Sequence, residues 1–88
     1  MESKEYPFVA QEIINEFGLF AKENKYGRLV LYYYEDGNEK KFPMMKITSY
    51  LVNRYPFSKI KDEKEILRFV KGFAHKTEGA CDGGRKAI

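Results

Sequence analysis

The chain has one cysteine, Cys81, and one histidine, His75. A single cysteine excludes an intramolecular disulfide and any zinc site built from several thiolates. A cysteine–histidine nucleophile would rest on these two residues alone, and they fall by the end of a helix and in a glycine-rich stretch. That is poor ground for a preorganised site. Tryptophan is absent and glutamine occurs once, as Gln11. No apolar run approaches the ~20 residues that cross a bilayer. Met1 to Glu5 carry neither the basic region nor the apolar stretch of a secretory signal. The expectation is a cytoplasmic protein that does not enter membranes and needs no metal or cofactor.

What is present is enough for one domain. The 88 residues are 43% apolar and 16% aromatic, which fills one modest core, and 33% charged, which argues against wholesale disorder. The leaning towards lysine, glutamate and tyrosine fits a heat-loving or AT-rich source, archaeal or viral. The net charge of +3 is unevenly spread. Residues 1–45 hold six Lys/Arg against eight Asp/Glu, whereas residues 46–88 hold ten against five. The second half is therefore the candidate for a polyanionic partner.

Periodicity predicts the elements. Ala10, Ile13, Ile14 and Phe17 share one face of a helix that has Pro7 in its first turn and Gly18 as its stop. Glu12 and Glu16 fall on the other face and read as solvated charges. Leu19 to Lys22 and Glu39 to Phe42 flank the strongest strand signal, Arg28 to Glu35, which contains three consecutive tyrosines. Asn24 to Gly27 and Asp36-Gly37 are the turns between them. A second helix is expected from about Met44 to Arg54, with Met44, Ile47, Leu51 and Tyr55 on its apolar stripe and Pro56 ending it. In a third, Asp62 reads as N-cap with Glu65 three residues on, followed by Ile66, Phe69, Val70 and Phe73 on one face. The order α-β-β-β-α-α predicts a small α+β domain over residues 1–76, a three-stranded antiparallel meander packed by three helices. Residues 77–88 read as a flexible tail.

Few residues could carry chemistry. Gly79 to Arg85 spells G-x-x-x-x-G-R, a near miss for the phosphate-cradling loop G-x-x-x-x-G-K-[ST]. No strand leads into it, no helix follows, and no Ser or Thr comes after Lys86. The motif is rejected, and no acid–base or metal constellation replaces it. An enzyme is not expected.

Two surfaces remain. Lys64, Arg68, Lys71 and His75 recur at i, i+4, i+7 and i+11 on the third helix, opposite its apolar face, with Lys61 and Lys76 bracketing them. Such a helix can lie along a phosphate backbone or an acidic protein face, or simply carry a solvated surface. The tyrosines offer the second surface. With a two-residue turn at Asp36-Gly37, Leu31 faces Phe42 and Tyr33 faces Lys40. Tyr32 and Tyr34 then share the outer face with Val30 and Lys41. A three-residue turn would slip the register by one and bury Tyr32 and Tyr34 instead. Exposed, they could stack on unpaired bases or anchor a protein partner. The sequence leaves both registers open.

A helix ending in Ile13-Ile14-Asn15-Glu16-Phe17, the strand Leu31-Tyr32-Tyr33-Tyr34-Glu35-Asp36-Gly37 and two following helices, Ile47 to Tyr55 and Glu65 to His75, together resemble a known arrangement. It is the N-terminal domain that precedes the helicase in phage, plasmid and large-DNA-virus primase-helicases. The resemblance spans Val9 to Thr77 and implies a stand-alone replication-associated module, since the ATPase segment of that family has no counterpart. Double-stranded-RNA-binding domains share the α-β-β-β-α order. Their Gly-Pro-x-His loop and Lys-Lys-x-Ala-Lys helix start are missing, so that likeness is not adopted.

The expectation is thus a non-catalytic domain binding DNA or RNA through Lys61, Lys64, Arg68, Lys71 and Lys76, with Tyr32, Tyr34 and Lys41 as further contacts. The alternative is a protein-interaction module, such as a polymerase subunit, a viral regulator or an inhibitor. It would meet an acidic protein surface with the helix or form a homodimer through the tyrosines.

Overall fold

The computed structural model describes the backbone of residues 1–87 and the side chains of residues 1–75. After a 3-10 turn at Ser3–Glu5 come α1 (Tyr6–Phe17), β1 (Phe20–Glu23), β2 (Leu29–Glu35), β3 (Asn38–Lys41), α2 (Met44–Arg54) and α3 (Ile60–Ala87). The chain is an α+β domain in the expected order. Expectations placed on Lys76, Cys81 and the tail at 77–88 fall outside the described side chains.

Local chemistry sets the boundaries. Gly18 adopts φ 63° and ψ 48°, and its N–H returns to the Ile14 carbonyl at 2.8 Å. This left-handed position is open to glycine without a steric penalty, and α1 ends there. Asn24 closes the first hairpin by accepting from the N–H groups of Tyr26 and Arg28. At the second, Asp36 and Gly37 take φ 54° and 80°, the paired positive values of a two-residue hairpin turn.

That turn decides the register. Tyr33 pairs with Lys40, Tyr32 with Lys41 and Tyr34 with Glu39, and the Phe42 N–H donates to the Leu31 carbonyl. β1 runs antiparallel on the other side of β2, with Phe20 opposite Tyr32 and Lys22 opposite Val30. Leu31 and Phe42 are buried beneath the helices, with Tyr33 packed against them, while Phe20, Lys22, Val30, Tyr32, Tyr34, Glu39 and Lys41 share the outer face.

Val9, Ala10, Ile13 and Ile14 of α1, Ile47 and Leu51 of α2, and Ile66, Val70 and Ala74 of α3 meet Ala21, Leu31 and Phe42 in one core. α3 packs along both α1 and the sheet. Of the apolar stripe expected on α2, Ile47 and Leu51 are buried and Tyr55 packs against the core, while Met44, in the first turn, stays exposed.

Two acidic residues depart from expectation. α3 begins two residues before Asp62, as the Glu63 N–H donates to the Lys59 carbonyl. Asp62 is therefore not the N-cap but the third helical residue. Its carboxylate reaches back to accept the Lys59 N–H at 2.7 Å and takes the Tyr6 hydroxyl at 2.5 Å. It is 1% exposed, with the Met1 amine 3.8 Å away. Glu12, expected to be solvated, is half-buried and accepts the hydroxyl of Tyr55. Its charge has a partner that periodicity cannot reveal, supplied 43 residues later.

Candidate nucleic-acid interface

With Ile66, Val70 and Ala74 turned into the core, the 100° step of the helix sends positions 61, 64, 68, 71 and 75 to the opposite arc. Lys61, Lys64, Arg68 and His75 are exposed and Lys71 is half-buried. From Lys61 to Lys71 the cations cover about 15 Å at 1.5 Å per residue. Arg68 forms a 3.0 Å ion pair with Glu65, at the solvent-facing edge of the helix. Surface pairs of this kind are worth roughly 0–1 kcal/mol and open readily to a competing anion. Among the described residues, Lys61, Lys64 and Lys71 have no ion-pair partner.

Tyr32, Tyr34 and Lys41 lie elsewhere. The inner face of the sheet and the apolar stripe of α3 meet in the core, so the surfaces behind them point away from each other. The two surfaces read from the sequence therefore lie on opposite sides of the domain. On the sheet side Tyr34 is 63% exposed, whereas Tyr32 is half-buried beneath the Lys22 side chain. Phe20 stands on the same face and was missed, because only the strand register brings β1 alongside the tyrosines.

Exposed apolar groups form a third feature not anticipated from periodicity. Phe57 is 88% exposed in the α2–α3 connection, and Phe8 and Ile60 are also exposed. Phe57 borders a groove of about 270 Å³ with Met1, Glu5, Arg54, Tyr55, Pro56 and Ser58. A second groove, of about 300 Å³, runs beside α3 between Arg68 and Phe73. Neither brings together two carboxylates, or a histidine and a nucleophile, for acid–base work. Among the described residues no cluster of three His, Cys, Asp or Glu side chains could hold a metal ion. No helix among them is long and apolar enough to cross a membrane.

Six described groups, Tyr6, Glu35, Lys40, Tyr50, Tyr55 and Asp62, have shifted acidities, and three of them bear on how α1 is held. The hydrogen bond to Asp62 pushes the Tyr6 hydroxyl from 10.0 up to about 12, and the same bond holds the Asp62 carboxyl below its ordinary value. Hydrogen bonding to Glu12 pushes Tyr55 up to about 12. All three tie α1 to the elements around it, and Asp62 does so beside Lys61 at the start of the cationic arc.

Comparison with protein-family models, curated proteins and solved structures finds no match to this chain.

Proposed function

We propose that this domain binds nucleic acid, without catalysing a reaction, through the outer arc of α3. The observation that carries the reading is the row Lys61, Lys64, Arg68 and Lys71, where three cations have no ion-pair partner among the described residues and the fourth has only an exposed one. A row of this length can follow a phosphate backbone, and its contacts would be blind to base identity. A replication-accessory role inside the cell belongs to the same proposal, supported by the resemblance to primase-helicase N-terminal domains.

Affinity for duplex DNA should fall with salt. Four neutralised phosphates correspond to roughly a 100-fold loss between about 50 and 200 mM salt. The triple variant Lys64→Glu, Arg68→Glu, Lys71→Glu should weaken binding to all sequences alike, read by fluorescence anisotropy. Binding that ignores both salt and the charge reversal would overturn the proposal.

A second reading, a protein-interaction module, draws on Phe57 and Phe8. Both rings are largely exposed, and Phe57 borders a groove, as apolar anchors of association surfaces do. Light scattering over a range of concentrations, on the chain and on Phe57→Ser, tests whether the partner is a second copy.

A further inference from the structure

Three rings from two strands form a row on the outer face of the sheet. Phe20 stands between Tyr32 and Tyr34, its centroid 5.9 Å from the first at 25° and 5.0 Å from the second at 24°. These are the offset, near-parallel arrangements that aromatic rings prefer.

The two ends of the row differ. Beside Tyr32 the Lys22 ammonium lies 4.9 Å from the ring centroid and 2.5 Å from the Glu39 carboxylate. That end is closed. Glu39 is also the cross-strand neighbour of Tyr34, so its neutralisation by Lys22 removes the nearest charge that would repel a phosphate. The Tyr34 end is open, and Lys41 stands exposed on the same face, opposite Tyr32.

We propose that Tyr34 is a stacking site for an unpaired base of a DNA or RNA strand, which becomes the fourth ring of the row while Lys41 meets the adjoining phosphate. A duplex has no free base face to offer, so this site prefers single strands, whereas α3 accepts either form. The proposal rests on the nucleic-acid reading but uses a different face of the molecule. The two are therefore separable.

The test measures binding of the full chain to oligothymidylate, to oligouridylate and to an abasic DNA strand of equal length. The wild-type chain should prefer strands with bases over the abasic one. Tyr34→Ala should erase that preference, a change of roughly 5- to 150-fold, while Tyr34→Phe keeps it. Tyr32→Ala, at the closed end, should retain most of it. Comparing the thymidylate and uridylate arms shows whether DNA or RNA is the ligand. The α3 triple variant should weaken all three strands equally and leave the base preference intact, which separates failure of one site from failure of the other. A wild-type chain indifferent to bases, or a Tyr34→Ala chain that keeps the preference, would overturn the proposal. So would a homodimer that Tyr34→Ala dissociates while the preference is absent, because the face would then belong to a second copy.

Discussion

The outer arc of α3 and the outer face of the sheet are both polar-facing surfaces backed by the same core, yet they are built on different physics. On α3, charge is repeated at helical spacing, and each cation acts nearly independently through a field that salt screens within about 10 Å. On the sheet, the rings of Phe20, Tyr32 and Tyr34 lie against one another, and only Tyr34 is largely exposed. An arc of lysines tolerates small errors in position. A stack of rings does not. Under the proposed reading, attraction and discrimination fall on opposite sides of the molecule.

The most severe way to break the comparison is to remove what both surfaces share. Ile66 is fully buried between α3 and the rest of the core, so Ile66→Ala should cost about 2–5 kcal/mol in denaturant unfolding. Both binding activities should be lost over the same transition. If one survived unfolding that abolished the other, the two surfaces would not share a cooperative unit.

A smaller effect concerns the link between Tyr6 and Asp62, which fixes the start of α3 and with it the cationic row. The folded Tyr6 hydroxyl titrates at about 12 against 10.0 for a free tyrosine. Its contribution is complete below pH 10 and is lost as pH rises towards 12. Asp62 has the opposite sign: its folded value is lowered, so its contribution is present above the ordinary carboxylate range and is lost as acid protonates the folded carboxyl. Tyr6→Phe should therefore lower Tm at neutral pH and flatten both limbs of the stability–pH profile, measured by thermal melts. Tyr55 follows the alkaline pattern of Tyr6, through Glu12.

Gly18→Ala comes next. Nothing lies within 4 Å of an added Cβ, so only backbone strain at φ 63° opposes it. A loss of about 1 kcal/mol is expected, with both binding surfaces unaffected. Smallest of all is the coupling between the surfaces. Combining Tyr34→Ala with the α3 triple variant should change single-strand affinity by the sum of the separate effects, within about 0.5 kcal/mol. A larger discrepancy would mean that one strand wraps over both faces.

Much of this architecture was legible in the sequence. Helical spacing located all three helices, because burial of one stripe follows directly from a 3.6-residue repeat, and the boundaries of α2 match those read from Met44 and Arg54. The cationic arc follows from the same repeat. Strand register was not legible, because Asp36-Gly37-Asn38 admits turns of two lengths and a slip of one residue inverts every side chain. Only the positive φ of both Asp36 and Gly37 resolves it. Asp62 was misassigned for a related reason. A carboxylate can satisfy a backbone N–H at a helix start from the N-cap or from the third helical residue, and the buried partner that holds Asp62, Tyr6, lies 56 residues away. Phe57 was overlooked because a connecting segment has no period from which exposure could be read.

One further consequence concerns the free margin of the sheet. Three adjacent tyrosines in an extended segment are the composition that drives chains to zip together into fibres. Here that segment is the middle strand, paired on both sides, and one of its two borders is Asn38–Lys41, four exposed polar residues. It is only four residues long, is rich in charge, and is followed two residues on by Pro43, which has no amide hydrogen to donate. With β1 on one side and β3 on the other, the tyrosine strand offers no free backbone edge of its own to a second chain.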